Sequence, residues 1–223
     1  MLFIFKMVDF NKLIDNHLAR ETYPKKIGRY YPSEIGSCLR KTWYSYKQPK
    51  PTDTALIRIF EAGNLLHEFI EDVIKSEKNP EVELLQREVP VKVKTKDFII
   101  SGRIDNLMLA KIENKVFLVE VKSCKYLPKE LRKEHEMQLQ LYLKAAEVPD
   151  GMLLYIQKDN LETKWFDVSY DEDKAEKILK RFNLLHKYLI KENLPEAEAK
   201  HDEDKKWMCD KCPWQEECFA RED

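Results

Sequence analysis

No run of about 18 uncharged apolar residues occurs anywhere in the 223-residue chain, so no stretch is expected to span a membrane. The opening Met1-Leu-Phe-Ile-Phe-Lys6 is too brief for the apolar region of a signal peptide, and a soluble, cytoplasmic protein is expected. An excess of either charge is also missing: the formal net charge is −1, so the total argues neither for nor against a polyanionic partner. Cysteine is scarce, and its five copies are unevenly placed, which excludes the disulfide framework of a secreted domain. Internal repeats and low-complexity blocks are lacking as well, which excludes solenoids and disordered tracts.

What is present is enough apolar residue, 43%, to bury a sizeable core. Apolar spacing predicts helices at 10–18, 54–76, 128–146 and 171–190. A further helix is expected to start at Pro32-Ser33-Glu34, with Ser33 as its N-cap. Alternation predicts strands at 84–93, 98–109, 116–121 and 152–156, and another ending at Val168. Three strands in meander after a long helix, then helix and strand, make an α/β fold with a mixed central sheet flanked by helices. Residues 192–206 are charged and read as a solvent-facing linker.

Chemistry concentrates in Ser101-Gly-Arg-Ile-Asp105 and Phe117-Leu-Val-Glu120-Val-Lys122. Asp105 and Glu120 can meet across a hairpin to hold a divalent cation, and Lys122 shares the face of Glu120 because side chains alternate. Phosphodiester hydrolysis needs that pairing: a cation on carboxylates neutralises phosphate oxygens and activates water, and an ammonium group orients the water. The carbonyl of Val121 could add a ligand, and so could His67, although a histidine beside an apolar stripe is ordinarily a packed core residue. Gly63, one turn earlier, would let another segment approach that helix closely. Gln138 and Tyr142, four apart on a helix, could bind substrate, as could Arg103; a surface glutamine and a core tyrosine explain the pair nearly as well.

Residues 20–50 carry eight Lys or Arg, Arg40 among them, against Glu21 and Glu34, with six tyrosine and tryptophan residues interleaved. Such a surface could meet phosphates and stack on bases; a solvated helix face with core aromatics is the plainer reading. Cys209, Cys212 and Cys218 lie within ten residues of one another, and Cys38 could complete a four-thiolate site for zinc or [4Fe-4S] that joins the two chain ends.

These pieces together resemble the RecB-like, CRISPR-associated exonucleases with an iron-sulfur cluster, a branch of the PD-(D/E)XK, restriction-endonuclease-like nucleases. The resemblance rests on Cys38, His67 after Gly63, Gly102-Arg-Ile-Asp105, Glu120-Val-Lys122, Gln138-x-x-x-Tyr142 and the last three cysteines. It implies that His67, Asp105 and Glu120 bind Mn²⁺ or Mg²⁺, that Lys122 is catalytic, and that Gln138 and Tyr142 contact a DNA end or support the site. It implies further that Cys38, Cys209, Cys212 and Cys218 ligate [4Fe-4S]. The expected whole is one nuclease domain over 1–223 with its catalytic core at 54–168, and with 20–50 and 192–223 forming the cluster and a DNA-guiding region. The implied activity is degradation of single-stranded DNA or overhangs, mainly 5′ to 3′, in spacer-precursor processing beside the CRISPR integrase proteins. The chain lacks a Gly-x-x-x-x-Gly-Lys-Ser/Thr loop, so no helicase is expected within it.

Overall fold

The computed structural model describes residues 8–21 and 23–221; the apolar opening at 1–6 lies outside the described residues. Helix α1 (Phe10–Leu18) is capped by Asp9, whose carboxylate accepts from the Lys12 N–H. The two-residue strand β1 (Arg29–Tyr30) follows, and then α2 (Leu39–Lys47). Helix α3 (Thr54–Lys75) starts at Asp53, which caps the Leu56 N–H. Strands β2 (Val82–Lys94), β3 (Ile99–Ala110) and β4 (Lys115–Cys124) form the antiparallel meander. Helix α4 (Lys133–Ala146) crosses over to β5 (Asp150–Gln157), parallel to β4, and β6 (Thr163–Ser169) pairs antiparallel with β5. The chain closes through α5 (Glu172–Ile190) and three short helices, α6 (Glu198–His201), α7 (Trp207–Asp210) and α8 (Gln215–Phe219).

The sheet is mixed and helices cover both faces, as the periodicity predicts. On one face α3 buries Ile70 and Ile74 against Met108, Val119 and Val121. On the other, α4 packs Leu139 and Leu143 onto Ile104, Leu118 and Leu153, while α2 and α5 close over Tyr30 and Ile100 with Trp43, Ile178 and Phe182. Each such large apolar side chain contributes roughly 1.5–3 kcal/mol by leaving water.

Strand β3 pairs with three others, and this decides where a cleft opens. β2 runs along one edge of β3, from the Ile99 end to Ala110. β1 meets β3 only at Ile99 and Ile100, and β4 only from Asn106 to Ala110. A strand has two edges, so β1 and β4 share the second one. Between them, on that second edge, Ser101 to Asp105 has no strand beside it among the described residues.

Two local expectations differ. Pro32–Glu34 is a single 3₁₀ turn capped by Tyr31, not the start of a helix, and α2 begins only after Cys38. The Glu34 carboxylate turns back to the Tyr31 N–H, and another of its contacts goes to the Tyr46 hydroxyl, which pins the turn to α2. The stretch 192–206 is not simply solvent-facing either, because Ala197 and Ala199 are buried and Glu198 bonds inward.

A larger correction concerns how the chain ends are joined. Cys38, Cys209, Cys212 and Cys218 border one small apolar cavity with Tyr44, Ala197, Ala199 and Phe219. Among the described residues, however, no group of three or more His, Cys, Asp or Glu is arranged to hold a metal ion, so the cysteine-ligated [4Fe-4S] junction is not found. Burial, and then the neighbouring sulfurs, push the Cys209 thiol up; burial also raises Cys212. The ends are tied by hydrogen bonds instead. Arg181 on α5 donates to the carbonyls of Ile35 (3.1 Å) and Ser37 (2.9 Å) and grips Glu198, which accepts from the Leu39 N–H at 2.8 Å. The Trp214 indole donates to the Gln48 carbonyl at 2.9 Å and stacks on Tyr44.

Candidate active site

The site lies where β3 and β4 part. Their pairing ends at Asn106 and Val119, and beyond it β4 keeps only β5 as a neighbour. The Asp105 carboxylate fills the fork, its Oδ2 accepting the Val121 N–H at 2.7 Å. Its Oδ1 lies 3.5 Å from His67 Nδ1 on α3. Gly63, one turn before His67, sits where a Cβ would come within 3.1 Å of Ser123 Oγ on β4, so glycine lets α3 approach the site strand closely.

Glu120 is buried, 3% exposed, on the α4 side of the sheet. Its Oε1 accepts from Lys122 Nζ at 2.6 Å and from Gln138 Nε2 at 2.8 Å. Gln138 Oε1 in turn accepts from Lys122 Nζ at 3.0 Å, which closes a three-membered ring, and Gln138 Nε2 also reaches the Tyr142 hydroxyl at 3.0 Å. The i, i+4 spacing of Gln138 and Tyr142 on α4 and the two-residue spacing of Glu120 and Lys122 on β4 therefore converge. The other carboxylate oxygen, Glu120 Oε2, is buried with no hydrogen-bond partner.

Electrostatics follow from that burial. Desolvation pushes the Glu120 carboxyl up to about 7, against the opposing pull of the Lys122 ammonium. His67 is raised: burial acts to lower it, but the Asp105 hydrogen bond and charge outweigh burial. Burial, then the Glu120 charge, raises the Tyr142 phenol, which stays neutral.

A carboxyl whose folded value is raised contributes stability that is present below its unfolded value of about 4.5 and is lost as pH climbs through about 7. The expected outcome for Glu120→Gln is a melting temperature that gains on the native protein between pH 5.5 and pH 8.5. Thermal melts across that range measure it; a constant difference would mean that Glu120 does not ionise in this window.

Asp105 faces His67 on α3 and Glu120 bonds to Gln138 on α4, and among the described residues no group of three or more His, Cys, Asp or Glu is arranged to hold a metal ion. Lys122 and Gln138 occupy Glu120 Oε1, and the Val121 amide occupies Asp105 Oδ2. Arg103 is exposed and paired with Glu88 at 3.0 Å. Arg40 is buried in α2, where its Nε donates to the Pro195 carbonyl at 2.6 Å and its Nη1 lies 3.7 Å from Cys218 Sγ. Two residues beside the site escaped the sequence reading. His135 lies one turn before Gln138 on α4, and its Nδ1 is 2.9 Å from the hydroxyl of Tyr155, the β5 residue paired with Lys122. Burial, with Lys122 and Arg132 adding to it, lowers His135 to about 3, so a neutral imidazole stands beside the lysine. Its spacing from Gln138, i to i+3, was the available signal.

Residues 62–219 match the family model of the PD-(D/E)XK nuclease superfamily. The chain belongs to that superfamily. Among curated proteins, the PD-(D/E)XK chain is 28% identical over 169 residues to the CRISPR-associated exonuclease Cas4 of Saccharolobus solfataricus, covering 72% of this chain and 78% of that protein. Among solved structures it is similar to the crystal structure of SSO0001, with a TM-score of 0.63 and 22% identity, over 96% of this chain and 95% of the other. The likeness to SSO0001 speaks for the fold. Fold and family together mark a nuclease-type PD-(D/E)XK enzyme acting on nucleic acid, and among the described residues no helix is long and apolar enough to cross a membrane.

Proposed function

We propose that the protein is a divalent-cation-dependent exonuclease that hydrolyses phosphodiester bonds of single-stranded DNA or overhangs from an end, mainly 5′ to 3′. We propose as its setting the processing of CRISPR spacer precursors, in company with the integrase proteins. The observation that carries the chemistry is the Lys122–Glu120–Gln138 ring with Asp105 at the strand fork. The unpartnered, buried Glu120 Oε2 fits a cation, because an ionised oxygen left without donors is costly unless a positive charge meets it. A bound divalent cation supplies charge neutralisation on the phosphate and activation of water.

The chain's own residues do the rest. Asp105 and Glu120 provide the negative charge that draws the cation, and Lys122 sits where an ammonium group offsets charge on the attacked phosphate and orients the attacking water. Gln138 holds Lys122 and Glu120 in register, and Tyr142 fixes Gln138. The name of the 28% identical relative supports both the end-directed action and the CRISPR setting.

End-labelled single- and double-stranded DNA incubated with the protein, with chelator and then with added Mg²⁺ or Mn²⁺, tests class and cation need together. Cleavage that stops with chelator, returns with the cation and is absent from Glu120→Ala is expected. Undiminished cleavage by Glu120→Ala would discard this reading. Release of internal fragments before terminal ones would make the enzyme an endonuclease instead.

A further inference from the structure

The open edge of β3 leads to a basic surface that the site itself does not use. In the β2–β3 ladder Lys94 faces Ile99, Lys92 faces Ser101 and Pro90 faces Arg103, while Arg29 of β1 also faces Ile99. Paired residues project to the same side of a sheet, so Arg29, Lys92, Lys94 and Arg103 share one face. Arg29 is fixed there by its bond from Nε to Ser101 Oγ at 3.1 Å. Lys92 and Lys94 are exposed, and neither has an acidic partner among the described residues. These four cations line a single groove whose other wall is Tyr31, Pro32 and Tyr142.

The groove runs into the site. Arg103 stands two residues before Asp105 on β3, and Tyr142 at the groove wall is bonded to Gln138. At Gly102 a Cβ would meet Pro32 Cδ at 3.0 Å and Tyr142 Cε1 at 3.1 Å, so glycine allows the turn and the tyrosine to close over the strand. From Ile99 to Asp105 the track is about 20 Å long at roughly 3.3 Å per residue. A polyanion lying in it would reach Asp105 at one end while its phosphates met Lys92 and Lys94 further back. On a protein of net charge −1, such a local concentration of unpaired lysine suits a phosphate backbone, and the exposed Tyr31 ring on one wall suits an unpaired base.

We propose that Arg29, Lys92 and Lys94 form the track along which the backbone of a single-stranded nucleic acid is led to the Asp105–Glu120 site. The proposal rests on the nuclease reading for its direction, but strand binding tests it separately. The track holds the strand several nucleotides away from the bond to be cut, so it favours long strands and leaves very short ones unaffected.

The test is the double variant Lys92→Ala, Lys94→Ala of the full chain, measured in chelator with fluorescent (dT)20, with a 20-base-pair duplex and across a salt series. Both lysines are exposed and pair with no acid among the described residues, so an unchanged melting temperature is expected. Affinity for (dT)20 should fall roughly tenfold at low salt, and the salt dependence should flatten by about 1.4 in the log–log slope, at about 0.7 per lost phosphate contact. With cation restored, KM for the 20-mer should rise with kcat unchanged, while cleavage of a trinucleotide stays at the native rate. Native affinity and slope for (dT)20 would overturn the track. An equal loss for the duplex would overturn its preference for single strands. Absence of cleavage by the native protein alongside the expected binding loss would count against the nuclease reading alone.

Discussion

Lys122→Ala should lower kcat by at least about 10²-fold with KM within a few-fold, because the lost group acts on the attacking water and on charge that develops during the reaction. Among the described residues the ammonium makes two bonds, to Glu120 Oε1 at 2.6 Å and Gln138 Oε1 at 3.0 Å, both within the site. Lys122→Arg is not expected to rescue it, since a planar fork cannot take the place of a compact point charge wedged between a carboxylate and an amide. The variant also carries its own signature. The ammonium holds Glu120 down against burial, so without it the carboxyl keeps its proton to a higher pH. Residual activity of Lys122→Ala should therefore shift to more alkaline pH, which a purely structural role would not produce. Native kcat in Lys122→Ala would remove the lysine from the reaction.

Arg181→Ala should cost about 2–3 kcal/mol, because it leaves a partly buried carboxylate and two backbone carbonyls without their donor. For a chain of this length that corresponds to about 4–12 °C in melting temperature. Arg181 holds Glu198, the Ile35 and Ser37 carbonyls, and through Glu198 the first N–H of α2, so one side chain ties α5 to both terminal regions. Burial would raise Glu198, but Arg181 and the Leu39 N–H bring it below the usual value of 4.5. A lowered carboxyl contributes stability that is present above its unfolded value and lost as pH falls through its folded one. The difference between native and variant melting temperatures should thus narrow in acid. A variant that melts with the native protein at neutral pH would mean that the terminal regions are held by apolar packing alone.

The side chains of the candidate site were readable as pairs because each pair lies on one regular element. Glu120 and Lys122 follow the period of a strand, Gln138 and Tyr142 that of a helix, and the apolar runs around them identify those elements without ambiguity. Strand β1 was not readable, because two residues cannot display a period. The 3₁₀ turn at Pro32 was misread as a helix start for a related reason: its proline and acidic residue are the signals of either structure, and only the reach of Glu34 to Tyr46 decides between them. The cysteine spacing near the chain end suggested a metal because sequence reports how close the thiols are along the chain, not how buried they become or what they face.

Periodicity and composition by themselves determined an α/β chain with a mixed sheet, a strand pair bearing Asp105, Glu120 and Lys122, and a helix presenting Gln138 and Tyr142, because those features depend on neighbours a few residues apart. Only the tertiary structure decided that β1 and β4 share one edge of β3, that the gap between them opens beside Asp105, and that Lys92 and Lys94 line the way in. It also decided that Arg181 and Glu198, rather than a metal cluster, join the ends of the chain. Those outcomes turn on which edges meet and which groups lose water, and both are set by contacts between segments such as those of Gln48 and Trp214, 166 residues apart, beyond the reach of any local pattern.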